Sequence, residues 1–313
     1  MHALFDQSFE DIHLREHLLS CPPHFLQHLL GTRASTTRVS VLQNGNKAGA
    51  AGLEDRELPV LIELYLSTLG KQWRTRNGWE HLDTDVTSWH GVAVTGRCVQ
   101  NLDLHRNGLT GSIPPAVSRL TAMRRLNLAG NLLSGGLPAE LSALVNLTQL
   151  FLGGNQFTGR IPTSLTALQC LEELQLWANQ LTGEFPPELC ALPALREIWV
   201  QKNAFTGSFP MFPRNSRIQV ISIYDNKLSG PIPPEVESLK RLTHLLCSGN
   251  QLDGRIPTQQ LCTLTTLRKL SMHTNKFENP REAHVYAEKH IAGCEVSRKS
   301  AILHALLAML TLC

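Results

Sequence analysis

An α/β repeat solenoid, a curved superhelix with a parallel sheet on its concave face, is the fold this sequence predicts. Three observations predict it. Asparagine recurs at a fixed interval: Asn107, Asn131, Asn155, Asn179 and Asn203 are 24 residues apart, and Asn226, Asn250 and Asn275 follow at 23, 24 and 25. Two apolar residues precede each one in constant register, from Leu102/Leu104 and Leu126/Leu128 through Leu150/Leu152, Leu174/Leu176 and Ile198/Val200. The series continues with Ile221/Ile223, Leu245/Cys247 and Leu270/Met272. After the asparagine a turn sequence returns, Leu109-Thr-Gly-Ser-Ile-Pro114, with close copies at 157–162, 181–186 and 228–233 and looser ones at 133–138, 205–210 and 252–257. A fixed period of this length marks a stacked architecture, in which one unit cannot bury its apolar face alone.

Each residue type has a physical task in that frame. The alternation Leu102-Asp-Leu104 has period two, so it predicts a short strand with both leucines inward and Asp103 outward. Strands from successive turns pair in parallel. The asparagine amide, with two donors and an acceptor, can satisfy backbone groups of neighbouring turns in a buried ladder. Gly111 and its equivalents permit a tight turn, and Pro114 and its equivalents suit the start of a 3₁₀ or short helical segment. Residues 210–216, Pro-Met-Phe-Pro-Arg-Asn-Ser, replace the usual helical tail and predict an irregular convex loop.

These motifs resemble the plant-type leucine-rich repeat of receptor-kinase ectodomains and polygalacturonase-inhibiting proteins, over 99–277. The resemblance implies eight leucine-rich repeats of about 24 residues and helical caps at both ends. It also implies roles in signalling, defence or enzyme inhibition. Trp73, Trp79 and Trp89-His-Gly-Val92 are similar to the N-terminal cap of that family. Secretory members carry cysteines flanking the last of these motifs; the corresponding places here read Thr87 and Val94.

The flanks complete the domain plan. Residues 1–56 are expected to be a flexible N-terminal extension and 57–98 the N-terminal cap, whose helix carries Leu61, Leu64, Tyr65, Thr68 and Leu69 and stops at Gly70. The repeats then occupy 99–277, and 278–313 form a helical C-terminal cap with an apolar tail. Asn279-Pro280-Arg281-Glu282 supplies an N-cap, a first-turn proline and a capping-box glutamate for a helix to about Ile291. A second apolar helix at 301–312 is expected to pack on that end. In the extension, His13-Leu-Arg-Glu16-His17 fits a reversed zinc-protease pattern, while His24 and His28 are a second pair four apart. A solvated amphipathic helix explains both pairs without a metal.

Composition narrows the function. With 29 Lys+Arg against 26 Asp+Glu the net charge is +3, and no basic run interleaves with aromatics, so nucleic acid is excluded as a partner. Acidic and basic residues interrupt the first seventeen positions, where a secretory leader needs an apolar stretch. The thirteen residues 301–313 fall short of the roughly 20 that span a bilayer, so membrane contact is expected only through that tail, if at all. With the missing cap cysteines, this predicts a cytoplasmic chain. Plasma membrane or cell surface is the alternative should residues precede Met1. The eight cysteines show no zinc spacing and are expected as buried, reduced thiols. No phosphate loop, nucleophile elbow or kinase triplet is present, so the chain is not expected to be an enzyme or to need a cofactor or metal.

Binding is therefore assigned to the outward strand positions on the concave face. Phe151, Trp177, Trp199 and Tyr224 fall there on four consecutive turns, ringed by Glu173, Gln175, Glu197, Gln201 and Asp225, with His244 beyond. Clustered exposed aromatics with a polar rim fit an interface centre. Rings that merely pack on one another across strands are the competing explanation. The ligand class is a protein or peptide, with an oligosaccharide as a further option. The alternative function is an intracellular scaffold or adaptor whose partners dock through the terminal extensions or the convex face.

Overall fold

The computed structural model describes residues 57–80 and 85–278, together with a short strand at 295–296. The N-terminal extension with its histidine pairs, the expected helix after Asn279 and the apolar tail lie outside the described residues.

The chain enters through helix α1 (Leu58–Ser67), which has a proline in its first turn and buries Leu58, Val60, Leu61 and Leu64. Thr68 Oγ1 donates to Leu64 O at 2.7 Å and closes the helix end. The stop differs from the one expected. Leu69, not Gly70, adopts the left-handed conformation at φ 53°. Gly70 is required for space instead, because a Cβ there would lie 2.0 Å from the Tyr65 ring. Trp73 and Trp79 then pack edge-on at 4.9 Å between centroids, with Tyr65 5.2 Å from Trp73 and Trp89 4.9 Å from Trp79. Their polar handles are satisfied: Trp73 Nε1 donates to Thr68 O at 3.0 Å and Trp79 Nε1 to His90 O at 2.9 Å.

Strands β1 (Val92–Thr95) and β2 (Cys98–Asp103) form an antiparallel hairpin. After β2 the chain alternates between one long sheet and a second side that carries a five-stranded sheet and a separate two-stranded one. The short strands on the second side are β3 (Thr110–Gly111), β5 (Leu132–Gly136), β7 (Gln156–Gly159), β9 (Gln180–Glu184), β11 (Ala204–Thr206), β13 (Ser229–Gly230) and β15 (Gln251–Leu252). Those on the long sheet are β4 (Arg125–Asn127), β6 (Gln149–Phe151), β8 (Glu173–Gln175), β10 (Glu197–Trp199), β12 (Val220–Ser222), β14 (His244–Leu246), β16 (Lys269–Ser271) and β17 (Glu295–Val296). The long sheet runs β1-β2-β4-β6-β8-β10-β12-β14-β16-β17, parallel from β2 onward.

The register repeats from rung to rung. Leu102 pairs with Leu126, Leu126 with Leu150, Leu150 with Leu174 and Leu174 with Ile198, and all five are buried. The asparagines stitch the rungs as expected. Asn155 Nδ2 donates to Leu152 O in its own turn and Leu128 O in the preceding one, both at 3.0 Å, while its Oδ1 accepts from Leu133 N at 3.0 Å. Asn131, Asn179, Asn226 and Asn250 bridge in the same way.

The second sheet was not anticipated. Past the asparagine, Leu109 is buried and Thr110 half-buried, an alternation too short to read as a strand from sequence. Gly111 sits at φ 84°, and a Cβ there would meet Ser67 O at 2.3 Å, so both conformation and space demand glycine. Each proline then opens a 3₁₀ turn, as at 115–119, 139–143, 163–167 and 234–238. Two turns are α-helical, α2 (Pro187–Cys190) and α3 (Thr258–Cys262). Residues 210–218 are irregular, as expected, and anchor through Phe209 and Phe212. Cys190 and Cys247 are buried thiols pushed up to about 12 by desolvation. Cys170 is exposed and Cys262 half-buried, so burial is not general among the cysteines.

Candidate functional site

The outward strand positions of the long sheet carry Phe151, Glu173, Gln175, Glu197, Trp199 and His244, because inward leucines at a period of two leave the alternate positions facing away from the core. Trp177, Gln201, Tyr224 and Asp225 follow just past the strand ends. The character of this face changes along the strands. Toward β2 it is an internally satisfied polar network. Asp103 accepts from His105 Nδ1 at 2.6 Å and from Asn127 Nδ2 at 3.0 Å, and Arg125 Nη2 lies 3.5 Å away. Burial works to raise the Asp103 pKa, but the hydrogen bonds from His105 and Asn127 outweigh it and hold the carboxyl below its ordinary value. Arg125 Nη1 donates to Gln149 Oε1 at 2.9 Å, and Gln149 Nε2 passes the chain on to Glu173 Oε1 at 2.9 Å.

Phe151 requires a correction. It faces outward but is only 8% exposed, because the Arg125 guanidinium lies over its ring at 4.9 Å. A cation over a ring face is attractive, and here it removes the ring from the exposed patch. The half-buried aromatics that remain are Trp177, Trp199 and Tyr224. They do not stack: among the described residues no ring-to-ring contact joins these three or Phe151, so cross-strand ring packing does not explain them.

The two indoles are held differently, Trp177 by the turn before it and Trp199 by its own. Trp177 lies over the backbone of Gly153 and Gly154, where a Cβ on Gly153 would come within 2.5 Å of the ring, and its Nε1 approaches Gln175 Oε1 at 3.4 Å. Trp199 Nε1 donates to Glu197 Oε2 at 2.8 Å. Glu173 and Glu197 are paired in register on β8 and β10 and are both half-buried. Gln201 and Ser222 are buried at 7% and 0% exposure, and Gln201 Oε1 and Ser222 Oγ find no partner among the described residues. Asp225 is exposed at φ 52°, with its carboxylate against Gly249. His244 is half-buried with Thr243 Oγ1 2.9 Å from its Nδ1.

The site assigned from sequence thus divides. Trp177, Trp199, Glu173, Gln175, Glu197, Gln201 and Tyr224 lie together; Phe151 belongs to the arginine network, and Asp225 and His244 lie at the far rim. Sequence reasoning placed Arg125, Gly153 and Ser222 at outward positions but gave them no part in the site. A glycine at an outward position one rung before a tryptophan is the signal that would have found Gly153. Among the described residues no group of three or more His, Cys, Asp or Glu is placed to hold a metal, and no helix is long and apolar enough to cross a membrane.

Comparison with known proteins adds lineage to this geometry. Leucine rich repeat family models match 97–157 and 170–192. No curated protein is significantly similar in sequence. The plant peptide hormone receptor RGFR1, solved in complex with RGF2, is 32% identical over 56% of this chain at a TM-score of 0.53; the match spans only 28% of that receptor. A plant ice-binding protein is 26% identical over 72% of this chain and 73% of its own, with a TM-score of 0.64. Pollen Receptor Kinase 3 is 30% identical over 61% of this chain and 94% of its own, with a TM-score of 0.54. With that relative matched over nearly its full length, and with the asparagine ladder in place, the chain belongs to the leucine-rich repeat family and is structurally similar to plant receptor-kinase ectodomains.

Proposed function

We propose that the chain is a non-catalytic recognition module, a curved solenoid of eight turns capped by helices, that binds a peptide or protein segment on its concave face in signalling or defence. The observation that carries this reading is the pair Trp177 and Trp199, half-buried on consecutive rungs, the first seated on the Gly153–Gly154 backbone, the second bonded to Glu197, and neither covered by the other. Rigid aromatic anchors beside partly buried polar groups are where binding energy concentrates. The likeness to a plant peptide hormone receptor solved in complex with RGF2 supports a peptide as the ligand class. Replacing Trp177 and Trp199 with alanine should weaken peptide capture by at least about tenfold while leaving the melting temperature nearly unchanged. Unaltered capture would sink this reading.

A second reading has an observation of its own. Thr158, Thr182 and Thr206 are exposed at equivalent places on the second sheet, and the Thr158 and Thr182 hydroxyls donate only at 3.3–3.4 Å to the preceding turn's glycine carbonyl. The three are staggered by two residues from strand to strand, since Thr158 pairs with Gln180 and Thr182 with Ala204. Exposed hydroxyls at a fixed repeat suit an ordered water lattice, and the plant ice-binding protein matches this chain at similar length. Under this reading the protein slows ice growth and Thr182→Tyr abolishes the effect. Absence of thermal hysteresis in the unmodified chain excludes it.

A further inference from the structure

One end of the outward face satisfies its charges internally, and the middle repeats the same elements with one missing. Near β2 a carboxylate, a guanidinium and a ring meet, with Arg125 3.5 Å from Asp103 and 4.9 Å over Phe151. On β8 and β10 the carboxylates and rings recur as Glu173, Glu197, Trp177 and Trp199, but among the described residues neither glutamate has a cation within 4.0 Å. Each carboxylate receives a neutral N–H at one oxygen, from Gln149 and from Trp199 respectively. The two sit on paired positions of adjacent strands, where like charges repel.

A second observation points the same way. Gln201 follows Trp199 by two residues on the same face, and its amide oxygen is buried without a partner. An unpaired buried acceptor is costly, and a donor arriving on this face relieves that cost. Carboxylate oxygens, indole faces and an amide oxygen all attract a cation. A guanidinium answers all three, since it presents five N–H donors in a plane that also stacks on an indole. We propose that this part of the face holds an arginine side chain of the bound peptide, between Glu173 and Glu197 and against Trp177 and Trp199. The inference rests on the concave-face reading above and deepens it by naming the ligand's charge.

The test is selection of random heptapeptides by the full chain, followed by calorimetry with the enriched peptide made with arginine or with citrulline, its neutral isostere. Enrichment of arginine is expected, with the citrulline form at least about tenfold weaker and the arginine form losing affinity as salt rises. Glu173→Gln and Glu197→Gln should each weaken the arginine peptide several-fold and the citrulline peptide much less. Neither variant lowers the melting temperature, since each removes one of two repelling charges. Peptides enriched without a basic residue, or glutamine variants that bind as the wild type does, overturn the arginine assignment; if Trp177→Ala/Trp199→Ala still loses capture, the concave-face reading stands. Capture that survives the tryptophan replacements, or no enrichment at all, overturns both.

Discussion

A single buried amide in Asn155 serves four backbone groups, the carbonyls of Leu128, Leu152 and, at 3.4 Å, Gly153, and the N–H of Leu133. Asn155→Ala strands the Leu133 N–H and takes one of two donors from Leu128 O and Leu152 O, which keep Asn131 and Asn179. An unpaired buried group costs about 1–3 kcal/mol, so a loss of that order is expected in urea unfolding, more than from Asn146→Ala, whose exposed amide makes one bond to Thr121 O. Asp103 gives a pH signature. Its carboxyl titrates below the ordinary value in the folded chain, so its stabilising contribution is complete above the unfolded aspartate pKa of about 3.9 and is lost as pH falls through the lower folded value. Asp103→Asn is therefore expected to lower the melting temperature at neutral pH, and the gap should close under acid. A gap that persists unchanged into strong acid would contradict this assignment.

At the scale of the strand and turn, Gly153 carries the clearest prediction. A Cβ there meets the Trp177 indole at 2.5 Å, so Gly153→Ala should displace the ring. Expected are a shift in tryptophan emission and weaker peptide capture, with little change in urea midpoint. The same element shows what sequence can reveal. Inward and outward positions were legible because a period of two repeats in every rung and a one-residue slip would expose every leucine. The fate of individual outward side chains was not. Phe151 is buried by the rotamer of a neighbour one rung away, and Trp177 rests on a glycine backbone, contacts between residues about 24 apart that no local pattern encodes. The second sheet escaped notice for the same reason: its two- to five-residue strands exist only because the adjacent turn supplies the pairing.

Across the whole molecule, the residues that hold the stack together and the surface proposed for recognition are separate. Leucines and asparagines between the sheets hold the stack together, whereas Glu173, Trp177, Glu197 and Trp199 contribute to a face whose chemistry varies from rung to rung without disturbing the core. Such a division lets partner choice change by substitution on the outward row alone. It also explains why family membership was readable over 99–277 and the ligand was not: the period belongs to the frame, and specificity to what interrupts it.

The asparagine stitching has a direction. Each asparagine of the buried ladder reaches back to the turn before it, as Asn155 does to Leu128 and Leu133 and Asn179 to Leu152 and Phe157. Tension applied from the last rung therefore breaks the clasp belonging to the departing coil and leaves the one beneath it intact. Under load the molecule should pay out like thread from a spool, in increments of about 80 Å for each coil of about 24 residues.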